Sequence, residues 1–89
     1  MTSRLWIFTP VYFDVPSFLI LRERLAPYGA RIVVADDSAG RDPAIADLRE
    51  LDDVEVVTPP FNLGHQRALV YAIRTMAPDI EDDLSLIHI

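Results

Sequence analysis

The pattern of apolar and polar positions predicts three strands, each followed by a helix. Mainly apolar runs rich in aromatic and β-branched residues occur at residues 5–8, 31–35 and 54–57, which is typical of strands. The first run is apolar without interruption and is stopped by Thr9 and Pro10, as expected for a strand buried on both faces. The three runs are therefore predicted to be strands of one sheet.

Apolar residues at helical spacing follow each predicted strand. Asp14 is predicted to cap a first helix that runs to Leu25, and Asp42 followed by Pro43 is predicted to begin a second. The third helix has the clearest amphipathic pattern, with apolar residues at i, i+3, i+4 and i+7: Leu69, Ala72, Ile73 and Met76. Because the order β-α-β-α-β-α requires crossovers, we expect an α/β fold with a parallel sheet and with ligands beyond the carboxyl ends of its strands.

Composition limits the size and the partners of the domain. The chain has 89 residues, of which 51% are hydrophobic and 25% are charged, which is enough for the core of one small domain. Its net charge of −6 argues against non-specific binding to nucleic acid, whose phosphates attract basic side chains. The chain has no cysteine, so disulfides and thiolate metal sites are excluded.

No targeting or membrane segment is predicted. The N-terminal apolar run is broken at Pro10, which makes it too short for the core of a signal peptide. The longest apolar segment, residues 15–21, is far shorter than the roughly 20 residues that cross a bilayer. We therefore expect a cytoplasmic chain.

The end of the chain has an unusual sequence. Residues 84–89 (LSLIHI) follow an acidic run at residues 81–83 and would begin a fourth strand. The same six residues are one translation of a transposon-end adapter used in sequencing libraries. We therefore expect a native domain over residues 1–83 and a non-native tail after it, the alternative being an edge strand that pairs beside the first strand. The acidic run is interpreted as a solvated loop, and neither His65 nor His88 is expected to bind a metal.

Polar residues follow all three predicted strands, at residues 9–14, 36–38 and 62–67, and the ends of parallel strands meet at one edge of a sheet. Asp36 and Asp37 are adjacent carboxylates in the second group. One of them is explained by turn formation, in which an Asp accepts a hydrogen bond from the amide two residues on. The other adds like-charge repulsion, which favours a site role for at least one of the pair, such as accepting a hydrogen bond from a ring N–H of uracil or guanine.

The remaining candidates each have a structural and a functional interpretation. Asp14 either caps its helix or contacts a ligand. Tyr12, in the turn before that helix, either packs on a neighbour or offers its ring to a flat base. Gly64 allows a close approach of the backbone, and His65 and Arg67 would lie in the first turn of the third helix. There Arg67 is either solvated or close to an anion such as a diphosphate, which a helix N-terminus attracts.

Three motifs of the chain are similar to those of a large enzyme family. Residues 9–14 (TPVYFD) are similar to its Pro-Val-Tyr-Asn-Glu, residues 33–38 (VVADDS) to its Val-Val-Asp-Asp-Gly-Ser, and residues 62–69 (NLGHQRAL) to its Asn-x-Gly-His-Gln-x-Ala-Leu. In these motifs, their order and their spacing, the chain resembles the N-terminal part of a family 2 glycosyltransferase with the GT-A fold. The third motif is similar to that of the dolichyl- and polyprenyl-phosphate sugar transferases.

The resemblance implies a partial GT-A, Rossmann-like fold that binds the nucleotide of a UDP- or GDP-sugar donor. The first motif would hold the base and the ribose, the carboxylate pair would read the base, and the third motif would lie near the nucleotide. The residues that match these positions are Pro10, Tyr12 and Asp14, then Asp36 and Asp37, then Gly64, His65 and Arg67. Within the pair, Asp37 is the first choice for reading the base.

The chain departs from the family pattern in both turns and in its extent. Phe13 replaces Asn, Asp14 replaces Glu, and Ala39 follows Ser38 where Gly usually precedes it. The family's Asp-x-Asp motif, which holds Mg²⁺ or Mn²⁺ against the diphosphate after the fourth strand, is not found, and neither is the catalytic base. The resemblance therefore implies the donor-binding fragment of an inverting transferase, inactive alone. Its full-length parent would use the metal and transfer sugar to an acceptor such as a polyprenyl phosphate, at the membrane surface.

Two other classes of protein remain open. A receiver-like signalling domain would bind Mg²⁺ with an acidic cluster and accept phosphate on an Asp. It would need an Asp at the end of the third strand, where Val57 is instead followed by Thr58. An α/β interaction fragment would bind no ligand at all.

Overall fold

The computed structural model describes residues 6–61, 64–76 and 84–86. In these residues the strands are β1 (Trp6–Val11), β2 (Arg31–Asp36), β3 (Val54–Val57) and β4 (Leu84–Leu86). They form one sheet in the order β3-β2-β1-β4, and every pairing is parallel. The α/β fold with a parallel sheet is therefore confirmed, and its topology is that of a partial Rossmann-like unit.

Helices cover both faces of the sheet. They are α1 (Val15–Leu25), α2 (Pro43–Leu48) and α3 (His65–Met76), with a 3₁₀ turn at Ala26–Tyr28 after α1. On one face, Phe18 of α1 and Ile45 of α2 are buried in a cluster with Val34 of β2. On the other face, Ala68 of α3 is buried in a cluster with Phe8 of β1. The two clusters bury the sheet between two layers of helices.

Local sequence explains where α1 and α2 begin. Asp14 caps α1 by accepting a hydrogen bond from the backbone N–H of Ser17 at 3.4 Å. Asp42 caps α2 by accepting one from Ala44 at 3.0 Å. A proline lies in the first turn of each helix, where its missing N–H breaks no helical hydrogen bond. Both predicted caps are confirmed, and so is the end of α1 at Leu25.

The third helix buries the face that its sequence predicts. Leu69 and Ala72 lie in the core, with Ile73 and Met76 packed against it. Val70, one position along from Leu69, is exposed. The 3.6-residue period therefore separates the buried and exposed faces correctly.

The first strand is longer than its sequence predicts. The expected stop at Thr9 and Pro10 is wrong, because β1 continues to Val11. Successive residues of a parallel strand direct their backbone groups to opposite neighbours. Val11 accepts a hydrogen bond from Asp37 on the β2 side, so the missing N–H of Pro10 falls on the β4 side, where the described pairing ends at Phe8. Proline is tolerated there because it removes no hydrogen bond to β2.

The fourth strand pairs with β1 over Trp6, Ile7 and Phe8. β4 therefore lies where the sequence placed an edge strand, as the alternative to a non-native tail at residues 84–89. That these residues are a translated adapter stays a prediction. All six residues of β1 are buried. The acidic run at residues 81–83 and His88 lie outside the described residues. Within the described ranges, no helix is long and apolar enough to cross a membrane.

Candidate functional site

A backbone hydrogen bond joins the turns that follow β1 and β2. The N–H of Asp37 donates to the carbonyl oxygen of Val11 at 2.9 Å. Since Tyr12 directly follows Val11, this bond brings the beginning of the first candidate segment next to the carboxylate pair. Both segments lie at the carboxyl ends of their strands, the edge at which parallel α/β sheets bind ligands.

Asp36 builds the turn after β2. Its side chain is buried, at 1% exposure. Both of its carboxylate oxygens accept hydrogen bonds, from the Ser38 N–H at 3.0 Å, the Ser38 hydroxyl, the Gly40 N–H at 3.1 Å and the Thr58 hydroxyl at 3.2 Å. The predicted bond to the amide two residues on is therefore present. The carboxylate of Asp36 therefore supplies hydrogen bonds that hold this turn.

A hydrogen-bonded chain connects Asp36 with the surface. Thr58 follows β3, and its hydroxyl accepts a hydrogen bond from the Arg49 guanidinium at 2.9 Å while donating to Asp36. Arg49 also donates to the backbone carbonyl of Val56 at 3.4 Å. The sequence-based interpretation missed Thr58 and Arg49. The position of Thr58 directly after a strand adjacent to β2 was the signal that could have identified it.

Asp37 is also buried, at 4% exposure, although it lies next to a turn. A charged carboxylate retains a buried position only where its surroundings compensate for lost hydration. Its location past the end of β2 gives this edge of the sheet a second carboxylate in addition to the one that forms the turn. Such a group accepts hydrogen bonds from N–H or O–H groups.

A small pocket lies between the end of β1 and the first two turns of α1. It encloses about 150 Å³, less than the roughly 300–1,000 Å³ of typical small-molecule sites, so it holds only part of a ligand. Its lining residues are Thr9, Pro10, Val11, Tyr12, Asp14, Ser17, Phe18 and Leu21. The structure thus brings together the three predicted residues of the first motif. Asp14 also caps α1, and its contact with a ligand stays a prediction.

Two adjacent aromatic side chains follow β1, and one of them, Tyr12, lines this pocket. Tyr12 and Phe13 are 49% and 52% exposed. Their rings make an edge-to-face contact, with centroids 4.9 Å apart and an interplanar angle of 88°. The φ angle of Phe13 is +49°, in the left-handed region that a bulky side chain rarely adopts. The turn after β1 therefore presents a paired aromatic surface that the sequence did not reveal.

The third candidate segment forms the beginning of α3. The helix begins at His65, which places Arg67 in the first turn as predicted. Gly64 has a φ of +83° and accepts a hydrogen bond from the Ala68 N–H at 2.9 Å. Nothing lies within 4 Å of where a Cβ of Gly64 would be, so its backbone angle, not crowding within the chain, favours glycine. The cap predicted at Asn62 lies outside the described residues.

Arg67 lies in a different concavity from Tyr12. It is exposed and lines an open depression on the outer surface of α3, together with Val70, Tyr71, Arg74 and Thr75. This depression shares no residue with the pocket beside β1. The structure thus brings the first two candidate segments together and places Arg67 apart from the pocket of the first.

The described part of the chain does not supply a metal site. No group of three or more Asp, Glu or His side chains in residues 6–61, 64–76 and 84–86 could hold a metal ion. Both carboxylate oxygens of Asp36 already accept hydrogen bonds. The Mg²⁺ or Mn²⁺ that the resemblance implies for a full-length parent stays a prediction.

The chain was compared with protein-family models, with curated proteins and with solved structures, and nothing matched.

Proposed function

We propose that this chain is the nucleotide-binding part of an inverting glycosyltransferase. The observation that carries the proposal is the hydrogen bond from the Asp37 N–H to the Val11 carbonyl. It places the turn that contains Tyr12 beside a second buried carboxylate, at the edge of a parallel sheet where ligands bind. The motif resemblance supports the same assignment.

In this proposal each segment contacts a different part of the nucleotide. The ring of Tyr12 packs on the base, and the carboxylate of Asp37 accepts a hydrogen bond from a ring N–H of uracil or guanine. Pro10 and Asp14, which line the same pocket as Tyr12, lie towards the ribose. The diphosphate extends towards the N-terminus of α3, where backbone N–H groups and the helix dipole favour an anion.

The N-terminus of α3 is formed by Gly64 and His65, with Arg67 in the first turn. Because Arg67 lines a depression separate from the pocket beside β1, its proposed role is long-range attraction of the diphosphate. A donor sugar would extend past this helix towards the acceptor, for which a polyprenyl phosphate is the proposed class. The chain would therefore bind the donor, and its described residues are assigned no chemical step.

The receiver-like alternative receives less support from the geometry. Its chemistry requires an acidic cluster, and the carboxylate of Asp36 is committed to the turn and to Thr58. The residue after β3 is Thr58, whose hydroxyl donates to that carboxylate. The other alternative is an interaction fragment that binds no ligand. The following experiment would support it if neither nucleotide binds.

Calorimetric titration with UDP and with GDP, each with and without Mn²⁺, tests the proposal. We expect one nucleotide to bind the wild-type chain and Asp37→Asn to weaken that binding about 10- to 100-fold, since hydrogen bonds to charged groups contribute about 1.5–3 kcal/mol. The matched control is Asp47→Asn, an identical change at an exposed position on α2, which should leave the affinity unchanged.

Three outcomes contradict the proposal. If neither nucleotide binds a chain whose thermal unfolding is cooperative, the nucleotide site is absent. Binding of a phosphoryl analogue such as beryllofluoride instead would favour the receiver class. Equal losses in Asp37→Asn and Asp47→Asn would show that the effect is general electrostatics rather than recognition of the base.

A further inference from the structure

The contact between Tyr12 and Phe13 is a feature that the proposed function leaves unexplained. Tyr12 lines the pocket beside β1, whereas Phe13 does not. We propose that Phe13 is a positioning residue, whose ring holds the Tyr12 ring in the orientation that stacks on a planar heteroaromatic base. This inference rests on the proposed function, since it concerns the same site.

The ring geometry is the first support. An exposed tyrosine in a turn has several rotamers available, and Tyr12 is 49% exposed. The contact with Phe13 at 4.9 Å and 88° is an edge-to-face arrangement, and such pairs favour one orientation by about 2- to 12-fold. The face of the Tyr12 ring is then fixed before a ligand arrives, which lowers the ordering cost of binding.

The backbone is the second support. Phe13 has a φ of +49°, which L-residues with a Cβ adopt only at a cost. Its side chain is 52% exposed, so burial of its ring in the core does not account for this conformation. The chain is held on both sides, by the bond between Val11 and Asp37 and by the cap at Asp14. The turn between these fixed points therefore places the Phe13 ring against Tyr12.

A double-mutant cycle tests whether Phe13 acts through Tyr12. The ligand is UDP or GDP, whichever binds the wild-type chain, and the variants are Phe13→Leu, Tyr12→Leu and the double variant. We expect Phe13→Leu to weaken binding about three- to tenfold when Tyr12 is present. The same change should alter binding by about 1.5-fold or less when Tyr12 is already leucine, because the ring that it positions is gone.

A second variant separates positioning from folding. Phe13→Asn removes the ring and places at φ +49° a residue that tolerates this conformation. We expect it to weaken nucleotide binding as much as Phe13→Leu does, without lowering the midpoint of thermal unfolding. Tyr28→Leu is the control, an exposed aromatic residue in the 3₁₀ turn after α1, and it should leave binding unchanged.

The outcomes distinguish this inference from the proposed function. No binding of either nucleotide by the folded wild-type chain overturns both. Wild-type binding that Phe13→Leu leaves unchanged, or an equal loss with and without Tyr12, overturns the positioning role alone. A loss of binding in Phe13→Asn that is matched by a lower unfolding midpoint would assign Phe13 a structural role and overturn the inference as well.

Discussion

Two adjacent and chemically identical residues have different surroundings in this protein. Asp36 is the last residue of β2, and its carboxylate accepts hydrogen bonds from the turn and from Thr58. Asp37 follows it, and its backbone N–H bonds to Val11 of β1. A substitution at either position therefore tests a different property: turn stability at Asp36 and the proposed recognition of the base at Asp37.

The hydroxyl of Thr58 should contribute measurably to stability. It donates to Asp36 at 3.2 Å and accepts from Arg49 at 2.9 Å. Thr58→Val keeps the shape of the side chain and leaves one acceptor site of a buried carboxylate unfilled, so we expect the free energy of unfolding to fall by about 1–2 kcal/mol. Urea titration measures this change.

Thr75→Val is the matched control for this prediction. The Thr75 hydroxyl is exposed and bonds only to the backbone carbonyl of Tyr71 within α3, at 2.8 Å, among the described contacts. Its loss should change the free energy of unfolding by less than about 0.5 kcal/mol. Equal effects of the two substitutions would contradict the structural role assigned to Thr58.

At the scale of elements, an ion pair connects α1 with the turn before β3. The Arg22 guanidinium donates to both carboxylate oxygens of Asp53, at 2.8 to 3.1 Å. This hydrogen bonding lowers the pKa of Asp53, opposed by partial burial, and it raises the pKa of Arg22. The pair joins residues 31 positions apart, so it stabilises the packing of α1 and not the helix alone.

The ion pair predicts a pH-dependent stability difference. Both side chains are 35% exposed, so solvent screening limits the contribution to about 0.5–1 kcal/mol. Because the folded pKa of Asp53 is lowered, this stability is present above the unfolded value of about 3.9 and is lost as pH falls through the folded pKa. We expect Asp53→Asn to be less stable than wild type at pH 7 and to approach the stability of wild type as pH falls through the folded pKa of Asp53.

Urea titrations at pH 7, 5 and 3 measure this convergence, with Asp52→Asn as the control. Asp52 is the adjacent, more exposed acid, and the described contact of this residue is through its backbone carbonyl, to Arg31. Its substitution should have little effect at any of these pH values. A deficit of Asp53→Asn that stays constant with pH would contradict the assignment to the ion pair.

At the scale of the whole molecule, β2 is the centre of the fold. It lies between β1 and β3, with helices on both faces of the sheet. Residues 32–36 are all buried. Strands β2 and β3 lie on one side of β1, and β4 lies on its other side. The strand order therefore reverses between β1 and β4, which is the topological switch point at which open α/β sheets bind ligands.

This arrangement predicts the order of amide hydrogen exchange. The amides of residues 32–35 have neighbours on both sides and should exchange most slowly, by global unfolding. The amides of β4, which pairs over three residues, should exchange faster by local opening. Native-state exchange followed by NMR measures both. Protection of β4 equal to that of β2 would show that the whole sheet opens as one unit.

The sequence by itself determined the features that depend on neighbouring residues. It predicted the caps at Asp14 and Asp42, the extent of β3 and the buried face of α3, because capping and periodicity act over a few positions. It also predicted that the polar segments after the strands meet at one edge of the sheet, since alternating strands and helices require parallel crossovers, and the structure joins the first two of them through the hydrogen bond from Asp37 to Val11.

Only the tertiary structure decided which carboxylate forms the turn, where β1 ends and which concavity Arg67 lines. The surroundings of Asp36 and the end of β1 depend on residues distant in sequence: Thr58 approaches Asp36 from β3, and Val11 is held by Asp37 across the sheet. The pairing of Tyr12 with Phe13 is local, but the fixed points on either side impose its backbone angle. Such contacts form only when the strands come together, and a residue pattern does not encode them individually.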